Sequence, residues 1–552
     1  MSDSDTKNIK RQLGETRPMN GAQSLFKALV DAGITTCFAN PGTSEMQLVY
    51  EIGMTDKVRP VLCLQEDVVT GAADGYARMT GTPAFTLLHV GSGFGNGIAM
   101  LQNAGRANTP IVNVVGANAS YHQPNNPEHE LINGHITDLA RVVSHWVQEA
   151  RSASHLGELG AEAAALAKTG KICTIVAPTN RHWEAANPPP VVPASPGRPK
   201  TAAEAIARAA TMLKNGKKTG LVLGNLALHG EALNFAGRIA AKTGAALLSE
   251  TFPSYHLARG EGRPPVDPIP YEFDAGLWFL QSFEQLIFVG ALFPVATFAY
   301  RNKPTMKSPP GCDLFLMASV EQDLTAALRS LAEGSGAADA AAPRQPRAEA
   351  TAPSGDLTAE TIGQSLCMLM PENAILVDEA GTNSPPISAA TKGARAHDYL
   401  APANGGAIGG GPPLALGAAI ACPDRKVIHL QADGSGMYTV QALWSMAREK
   451  TDVVIVVLKN DAYALLSLEM AHVRETELNA RMKWMLDLDN PTLDWVNISK
   501  GLGVPATRAT TAEEFHQQLE AALGVKGPRL IECPVGARKD LAALADYVYK
   551  NR

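Results

Sequence analysis

Short apolar runs recur along this chain, and most are closed by a glycine, an asparagine or an acidic residue: TTCFANPG, PAFTLLHVG, PIVNVVGAN, GLVLGN, QLIFVGA, NAILVDEAG, KVIHLQADGS and DVVIVVLKND. Runs this short and this rich in Val, Ile and Leu read as buried strands. Between them lie stretches of helical length such as SLFKALVDAG, EDVVTGAADGYARMTG and VQALWSMAREK. Strand alternating with helix predicts an α/β chain of doubly wound parallel sheets. Two stretches without apolar period, ANPPPVVPASPGRPKT and EGSGAADAAAPRQPRAEATAPSG, read as linkers, the second as a mobile one. They divide the 552 residues into three expected domains, 20–188, 200–333 and 356–552.

Composition narrows the classes. A net charge of −6 gives no electrostatic footprint for nucleic acid and no basic membrane patch. No apolar run approaches a membrane span, and the polar start MSDSDTKNIKRQLGETRPMN reads as a frayed tail without a signal-peptide core. The seven cysteines show no metal-knuckle or paired spacing, so a cytoplasmic protein with reduced thiols is expected.

In open parallel sheets ligands bind at the carboxyl ends of strands, so the closing residues are the candidates for chemistry. The run VIHLQ delivers Asp433, Gly434 permits a tight turn, and Ser435 opens a helix whose free N–H groups suit phosphate. The next apolar run, DVVIVVL, delivers Asn460 at the same sheet edge. Read alone, Asp433 is a helix cap. Paired with an amide oxygen and a backbone carbonyl, it suits a hard cation such as Mg²⁺ that also grips phosphate oxygens.

This unit resembles the signature of the thiamine diphosphate-dependent enzymes: Gly-Asp-Gly, just under thirty residues, then Asn. Here Ala432 replaces the leading glycine and Lys459-Asn460 the usual Asn pair. The resemblance implies Mg²⁺ on Asp433, Asn460 and the carbonyl of Ala462. VLCLQEDVVTGAADGYAR is similar to the family's segment for the aminopyrimidine ring. It implies that Glu66 binds that ring and promotes the ylide, a role a carboxylate in a dry pocket can fill; as a bare residue Glu66 also reads as an acid at a helix start. VDEAGTN matches the loop that meets the diphosphate, with Gly381 and Thr382 as donors. ANGGAIGGGPPLALGAAIA resembles the thiazolium segment, with Ile408 under the cofactor and the carbonyl of Gly406 toward its amino group.

Substrate-side residues follow from the same resemblance. NPGTSE is similar to a turn of the benzoylformate decarboxylase and acetolactate synthase branches, with Thr43 toward the substrate carboxylate; a plain Pro-Gly turn is the alternative. LLHVGSGFGNG places His89 where the benzoylformate decarboxylase branch has a proton-transfer histidine. GSGFG fails the dinucleotide pattern, which argues against NAD. In HQPNNPEHELINGHITDL, His129 falls near one of the paired histidines of pyruvate decarboxylase-like enzymes, although solvated-loop histidines at 122, 129 and 135 remain the simple reading. Leu465, Leu466 and Glu469 would line the substrate side.

The resemblance therefore implies pyrimidine-binding, middle and diphosphate-binding domains, and a 2-oxo acid decarboxylase or carboligase working through a C2 ylide and an enamine. An acetolactate synthase-like transferase is the alternative, and a non-catalytic cofactor-binding homologue a further one. Homodimers or homotetramers with sites at the subunit interface are expected. The middle domain carries no clear flavin signature.

Overall fold

The computed structural model describes residues 18–125, 127–473 and 476–536. Most of the N-terminal tail and the last residues of the third expected domain lie outside that range. The apolar runs form three parallel-dominated sheets flanked by helices.

The first sheet uses β1 (Thr36–Asn40), β2 (Arg59–Leu62), β3 (Ala84–Leu88), β4 (Ile111–Ala117), β5 (Trp146–Glu149) and β6 (Ile172–Pro178), in the order β2-β1-β3-β4-β6-β5. β3, β4 and β6 are buried along their whole length, which is why they read as continuous apolar runs and not as alternating ones.

The second block supplies β7 (Thr219–Leu223), β8 (Ala246–Ser249), β9 (Leu257–Arg259), β10 (Asp267–Pro268), β11 (Gln285–Val289) and β12 (Asp313–Ala318). Five of these form a sheet in the order β10-β8-β7-β11-β12. The sixth, β9, leaves it. It pairs antiparallel with the edge of the third sheet, whose strands are β13 (Ala374–Glu379), β14 (His397–Leu400), β15 (Val427–Ala432), β16 (Val453–Lys459), β17 (Ala506–Arg508) and β18 (Arg529–Pro534). That sheet runs β17-β18-β16-β15-β13-β14-β9. β9 and β14 were not apparent in the sequence, because three or four residues carry too little pattern.

Contacts group the chain into two units: residues 1–61, 82–96 and 111–196, and residues 62–81, 97–110 and 197–552. The second unit therefore includes two helices from the first block, α1 (Glu66–Thr80) and α2 (Ile98–Arg106). The stretch GFGNGIAMLQNAGRAN, from Gly93, reads as one helix in the sequence, but two helices, Val90–Asn96 and Ile98–Arg106, meet at Gly97. A side chain there would press on the methyl of Thr70 at 3.0 Å. Within this unit, α1 packs against α3 (Gly411–Ala421). Glycines make the approach possible. A Cβ on Gly417 would sit 1.9 Å from the carbonyl oxygen of Ala72, and one on Gly75 2.1 Å from that of Leu414. The small residues of TGAADGYAR thus serve packing inside one chain.

The segment expected as a mobile linker begins with the end of a helix, Leu324–Ser335; the rest has no regular helix or strand, yet it is fastened. Gln345 exchanges backbone bonds with Gly262 and Arg263, Ala348 bonds to Gly393, and Ala337 is fully buried. No helix of the described residues is long and apolar enough to cross a membrane.

The glycine contact is testable. Gly417→Val should destabilise the protein by about 1–3 kcal/mol or more through overpacking. Gly501→Ala, at a helical position with no atom within 4 Å of the added carbon, should not exceed the roughly 0.5 kcal/mol typical of surface changes. Urea unfolding of both variants measures the difference.

Candidate active site

In the third sheet, β13 is followed by β14 on one side and β15 on the other, so sheet growth reverses there. The crevice at such a reversal is where open α/β sheets bind ligands. Gly381 follows β13 with φ +61°, and a Cβ on it would lie 3.7 Å from that of Ala432 at the end of β15. The register pairs Ala432 with Leu458, so Asp433 and Asn460 leave the sheet on the same edge.

Their side chains are tied together. One carboxylate oxygen of Asp433 accepts the backbone N–H groups of Asn460 (3.1 Å) and Asp461 (2.8 Å); the other accepts that of Gly434 (2.9 Å). The amide oxygen of Asn460 accepts the N–H of Ala462 at 3.1 Å. Burial pushes the Asp433 carboxyl above its usual range, with the three N–H donors opposing. A cation would favour the charged form further. The Asp433 oxygen bonded only to Gly434 and the Asn460 amide oxygen each keep a lone pair beyond the bonds named, so with the carbonyl of Ala462 they offer the hard donors that Mg²⁺ takes. Lys459, where the family has another residue, is turned to Asp461 and Thr492.

The helix expected to open at Ser435 is a single turn, Asp433–Gly436, and the crossing helix α4 (Ala442–Glu449) starts later. The reason is local. Gly436 is packed under the Trp495 ring, and Thr439 bonds the carbonyl of Gly409. The free N–H groups here are therefore those of one tight turn. A Cβ on Gly434 would lie 2.7 Å from the Tyr463 ring.

Gly406, at φ +87°, and Ile408, a 39% exposed isoleucine, lie in the loop before α3. Two side chains from the first block pin that loop. Asn103 of α2 accepts the N–H groups of Gly405 and Ala407 and donates to the Ala407 carbonyl at 2.8 Å. Arg78 of α1 donates to the Ala401 carbonyl and to Asn404, while Asp74 holds it by two bonds of 2.7 Å. Glu66 begins α1, buried, with Gln65 capping the helix. Beside it, burial pushes Asp67 up to about 6, against an N–H from Met100 and with a further push from Glu66.

In the first unit a second group assembles. Thr43 is exposed at the start of a short turn, Thr43–Glu45. The His89 ring lies against Gly42, where a Cβ would fall 2.3 Å from it. His89 Nδ1 bonds the carboxylate of Glu45 at 2.8 Å, and the same oxygen accepts the Gly42 N–H. Glu45 was not singled out from the sequence. It is fully buried, its second oxygen has no partner among the described residues, and burial raises its carboxyl against the opposing pull of His89. The His129 ring stands edge-on to His89 at 5.8 Å. His122 and His135 are exposed.

Leu465, Leu466 and Glu469 lie on α5 (Ala464–Val473), which packs on the turn Gly381–Asn383. Thr382 is in that turn, half-buried. Glu469 accepts the hydroxyl of Tyr300 at 3.0 and 3.1 Å, a middle-block residue that the sequence reading also missed.

With this geometry the comparisons can be read. Residues 19–139 match the family described as "Thiamine pyrophosphate enzyme, N-terminal TPP binding domain", and residues 380–533 its C-terminal TPP binding domain. A Mycobacterium tuberculosis protein is 41% identical over 525 residues, covering 94% of this chain and 99% of its own. The chain belongs to the thiamine pyrophosphate enzyme family. That relative carries a provisional name as an acetolactate synthase large subunit, IlvX. Benzoylformate decarboxylase of Pseudomonas aeruginosa is 27% identical over 538 residues, 92% of this chain and 97% of its own. The structure of a thiamine diphosphate-dependent 4-hydroxybenzoylformate decarboxylase from Rhodococcus jostii superposes with a TM-score of 0.81 at 26% identity, over 94% of this chain and all of the other. The chain is thus an enzyme of the thiamine diphosphate-dependent decarboxylase and acetolactate synthase kind, with the three-sheet fold expected.

Asp67 gives a pH test. Its pKa in the folded protein, about 6, lies above the ordinary 3.8, so the folded state takes up this proton first as pH falls. The stability its neutral form contributes is present near pH 4 and lost as pH rises through 6. Asp67→Asn should therefore raise stability at pH 8, by at most about 3 kcal/mol, and change it little at pH 4. Thermal melts at the two pH values check the sign.

Proposed function

We propose that this enzyme is a thiamine diphosphate- and Mg²⁺-dependent 2-oxo acid decarboxylase or carboligase. As functional domains we assign 20–188 to pyrimidine binding, 200–333 to the middle domain and 356–552 to diphosphate and Mg²⁺ binding. The observation that carries the reading is the pairing of half-buried His89 with the fully buried Glu45. The bond from Nδ1 to Glu45 fixes the ring, and with the Nδ1 proton on that bond Nε2 is the nitrogen left to take or give one. A site that only bound the cofactor would have no use for a histidine so held.

Bound thiamine diphosphate supplies the nucleophilic carbon and the electron sink for loss of CO₂ from a 2-oxo acid. The chain's own residues bind, orient and move protons. Asp433, Asn460 and the Ala462 carbonyl would hold Mg²⁺. Gly381, Thr382, Gly434 and Ser435 would face the diphosphate, and Gly406 and Ile408 the rings. Glu66 would hold the proton exchanged with the aminopyrimidine. Thr43, His89 and His129 would handle the substrate carboxylate and the proton that replaces it, with Leu465, Leu466 and Glu469 shaping the substrate side.

The second reading, an acetolactate synthase-like transferase, is favoured by the name of the 41% identical relative. Measuring CO₂ release from aliphatic and aryl 2-oxo acids, with and without a second oxo acid or aldehyde, separates the two. Decarboxylation without acceptor supports the first; a ligated product formed only with a second 2-oxo acid supports the transferase. All seven cysteines are unpaired, which supports a reducing, cytoplasmic setting.

Glu66→Gln should keep cofactor affinity and lose about 10²–10⁴ in turnover. Near-normal turnover would refute its role. Asp433→Ala should abolish Mg²⁺-dependent cofactor uptake in calorimetry. We further propose a homodimer, pairing into a tetramer, in which Glu66 of one copy and Asp433 of another serve one cofactor. Mixing the two inactive variants should then restore part of the activity, and light scattering should show no active monomer. Absence of rescue in chains shown to have exchanged would sink the arrangement.

A further inference from the structure

Glu379 closes β13 and is nearly inaccessible, at 7% exposure. Its two carboxylate oxygens point at the glycine turn that precedes α3. One accepts the N–H of Gly409 at 2.5 Å and the other that of Gly411 at 2.7 Å. The N–H of Gly410 and the side chain of Gln431 reach the same carboxylate. From the other side, Thr439 donates to the carbonyl of Gly409. The fit leaves no room for a side chain: a Cβ on Gly411 would lie 2.7 Å from Glu379, 2.4 Å from the His429 ring and 2.8 Å from Gln431.

This is more grip than a turn needs to stay folded. The helix start offers several unpaired N–H groups, and a capping side chain commonly satisfies one or two of them. Here one buried carboxylate spans three consecutive residues. The loop it anchors carries Ile408 directly before Gly409, and Gly406 two residues further back. Arg78 holds the loop's other end, and Asn103 holds its middle at Gly405 and Ala407.

We propose that Glu379 is a positioning residue for the cofactor: its carboxylate fixes the Gly409–Gly411 turn and thereby sets Ile408 and Gly406 before thiamine diphosphate arrives. This rests on the reading that Gly406 and Ile408 face the cofactor rings. The role needs an acceptor at both oxygens. A protonated carboxyl, or a glutamine amide, presents a donor to one of the glycine N–H groups and must rotate away.

The protein has placed this group where its charge state matters. Burial pushes Glu379 up to about 7, opposed by the glycine N–H groups and Gln431. The groups facing it from β15 are His429, held neutral by burial with its pKa down at about 4, and Gln431, which bonds His429 and Ser435. The glycine turn contributes no ionisable side chain. Asp378, the preceding residue, is engaged by Ser384 and Tyr399. Above pH 7 Glu379 is a carboxylate and the turn is held at both oxygens. Below it the carboxyl carries a proton and one hold is lost, so cofactor affinity falls as pH falls.

The test uses the full-length protein. Dissociation constants for thiamine diphosphate with saturating Mg²⁺ are measured by calorimetry from pH 6 to pH 8 for wild type, E379Q, E379D and I408A. Circular dichroism and melting of each free protein confirm folding. At pH 8, E379Q should bind on the order of tenfold more weakly or worse, the loss expected for a charge-assisted bond. Its affinity should lack the part of the wild-type pH dependence that Glu379 contributes; titration of the cofactor's own groups is common to both proteins and cancels in the comparison. Wild-type affinity in folded E379Q, or weaker binding that keeps the full wild-type pH dependence, would overturn the proposal. If E379Q does not fold, E379D decides by the same measurement, since a carboxylate one methylene shorter cannot reach both N–H groups. I408A separates the two layers. Altered binding or turnover in I408A with an unaffected E379Q refutes the role of Glu379 alone. No effect in either refutes the placement of the loop on the cofactor.

Discussion

The second unit depends on one close approach, that of α1 against α3. At Gly417 the neighbouring helix backbone stands where a side chain would be, and at Gly75 the same is true in reverse. Glycine in a helix interior costs about 0.5–1 kcal/mol relative to alanine. Accepting that cost at Gly71, Gly75 and Gly417 lets α1 carry Glu66 and Arg78 into the unit that holds Asp433 and Asn460. Without it, Arg78 would not reach the carbonyl of Ala401 and the side chain of Asn404 at the start of the loop bearing Ile408.

The polar groups drawn in by that approach are paired. Arg78 is fully buried, yet Asp74 meets it with two bonds and backbone carbonyls and Asn404 take the remainder. A buried pair of this kind adds little net stability, because desolvation offsets the Coulombic gain, but breaking it leaves an uncompensated charge at a cost of about 3–5 kcal/mol. Its worth is directional. The guanidinium can be satisfied only if residues 401–404 lie where they do, so the pair specifies the start of the loop that bears Gly406 and Ile408. Asn103 specifies its middle and Glu379 its end.

The parts of the site that were legible in the sequence are those written next to each other. Asp433 and Asn460 each close an apolar strand, and parallel register does the rest. Glu66 sits between a strand and a helix and could be placed for the same reason. What was not legible depends on partners distant in the chain. Glu45 meets His89 from 44 residues away, Tyr300 meets Glu469 from 169, and Glu379 grips glycines about thirty residues on. No local pattern marks a carboxylate whose acceptors are used in another part of the fold. The short edge strands β9 and β14 failed for the complementary reason: their pairing with each other, and not their composition, makes them strands. The Pro- and Ala-rich segment between the second and third sheets shows the limit of composition, since backbone bonds at Gln345 and Ala348 fasten a stretch that has no apolar period.

Three carboxylates here, Glu45, Asp433 and Glu379, share one physical condition. Each is buried, each is pushed above the ordinary carboxylate range by that burial, and each is pulled back by N–H donors. Burying a charge is expensive, so the fold would shed these groups if they only filled space. What distinguishes them is the donor. Glu45 is met by an imidazole, which can release or take a proton at its other nitrogen. Asp433 is met by three backbone N–H groups at two strand ends, which leaves a lone pair open on one oxygen for a cation. Glu379 is met by backbone N–H groups of a turn and has nothing left to give to chemistry. The same residue type under the same desolvation is therefore suited to proton transfer, to metal binding or to geometry according to what stands opposite it. The sequence names the carboxylates; the packing that sets their partners assigns the work.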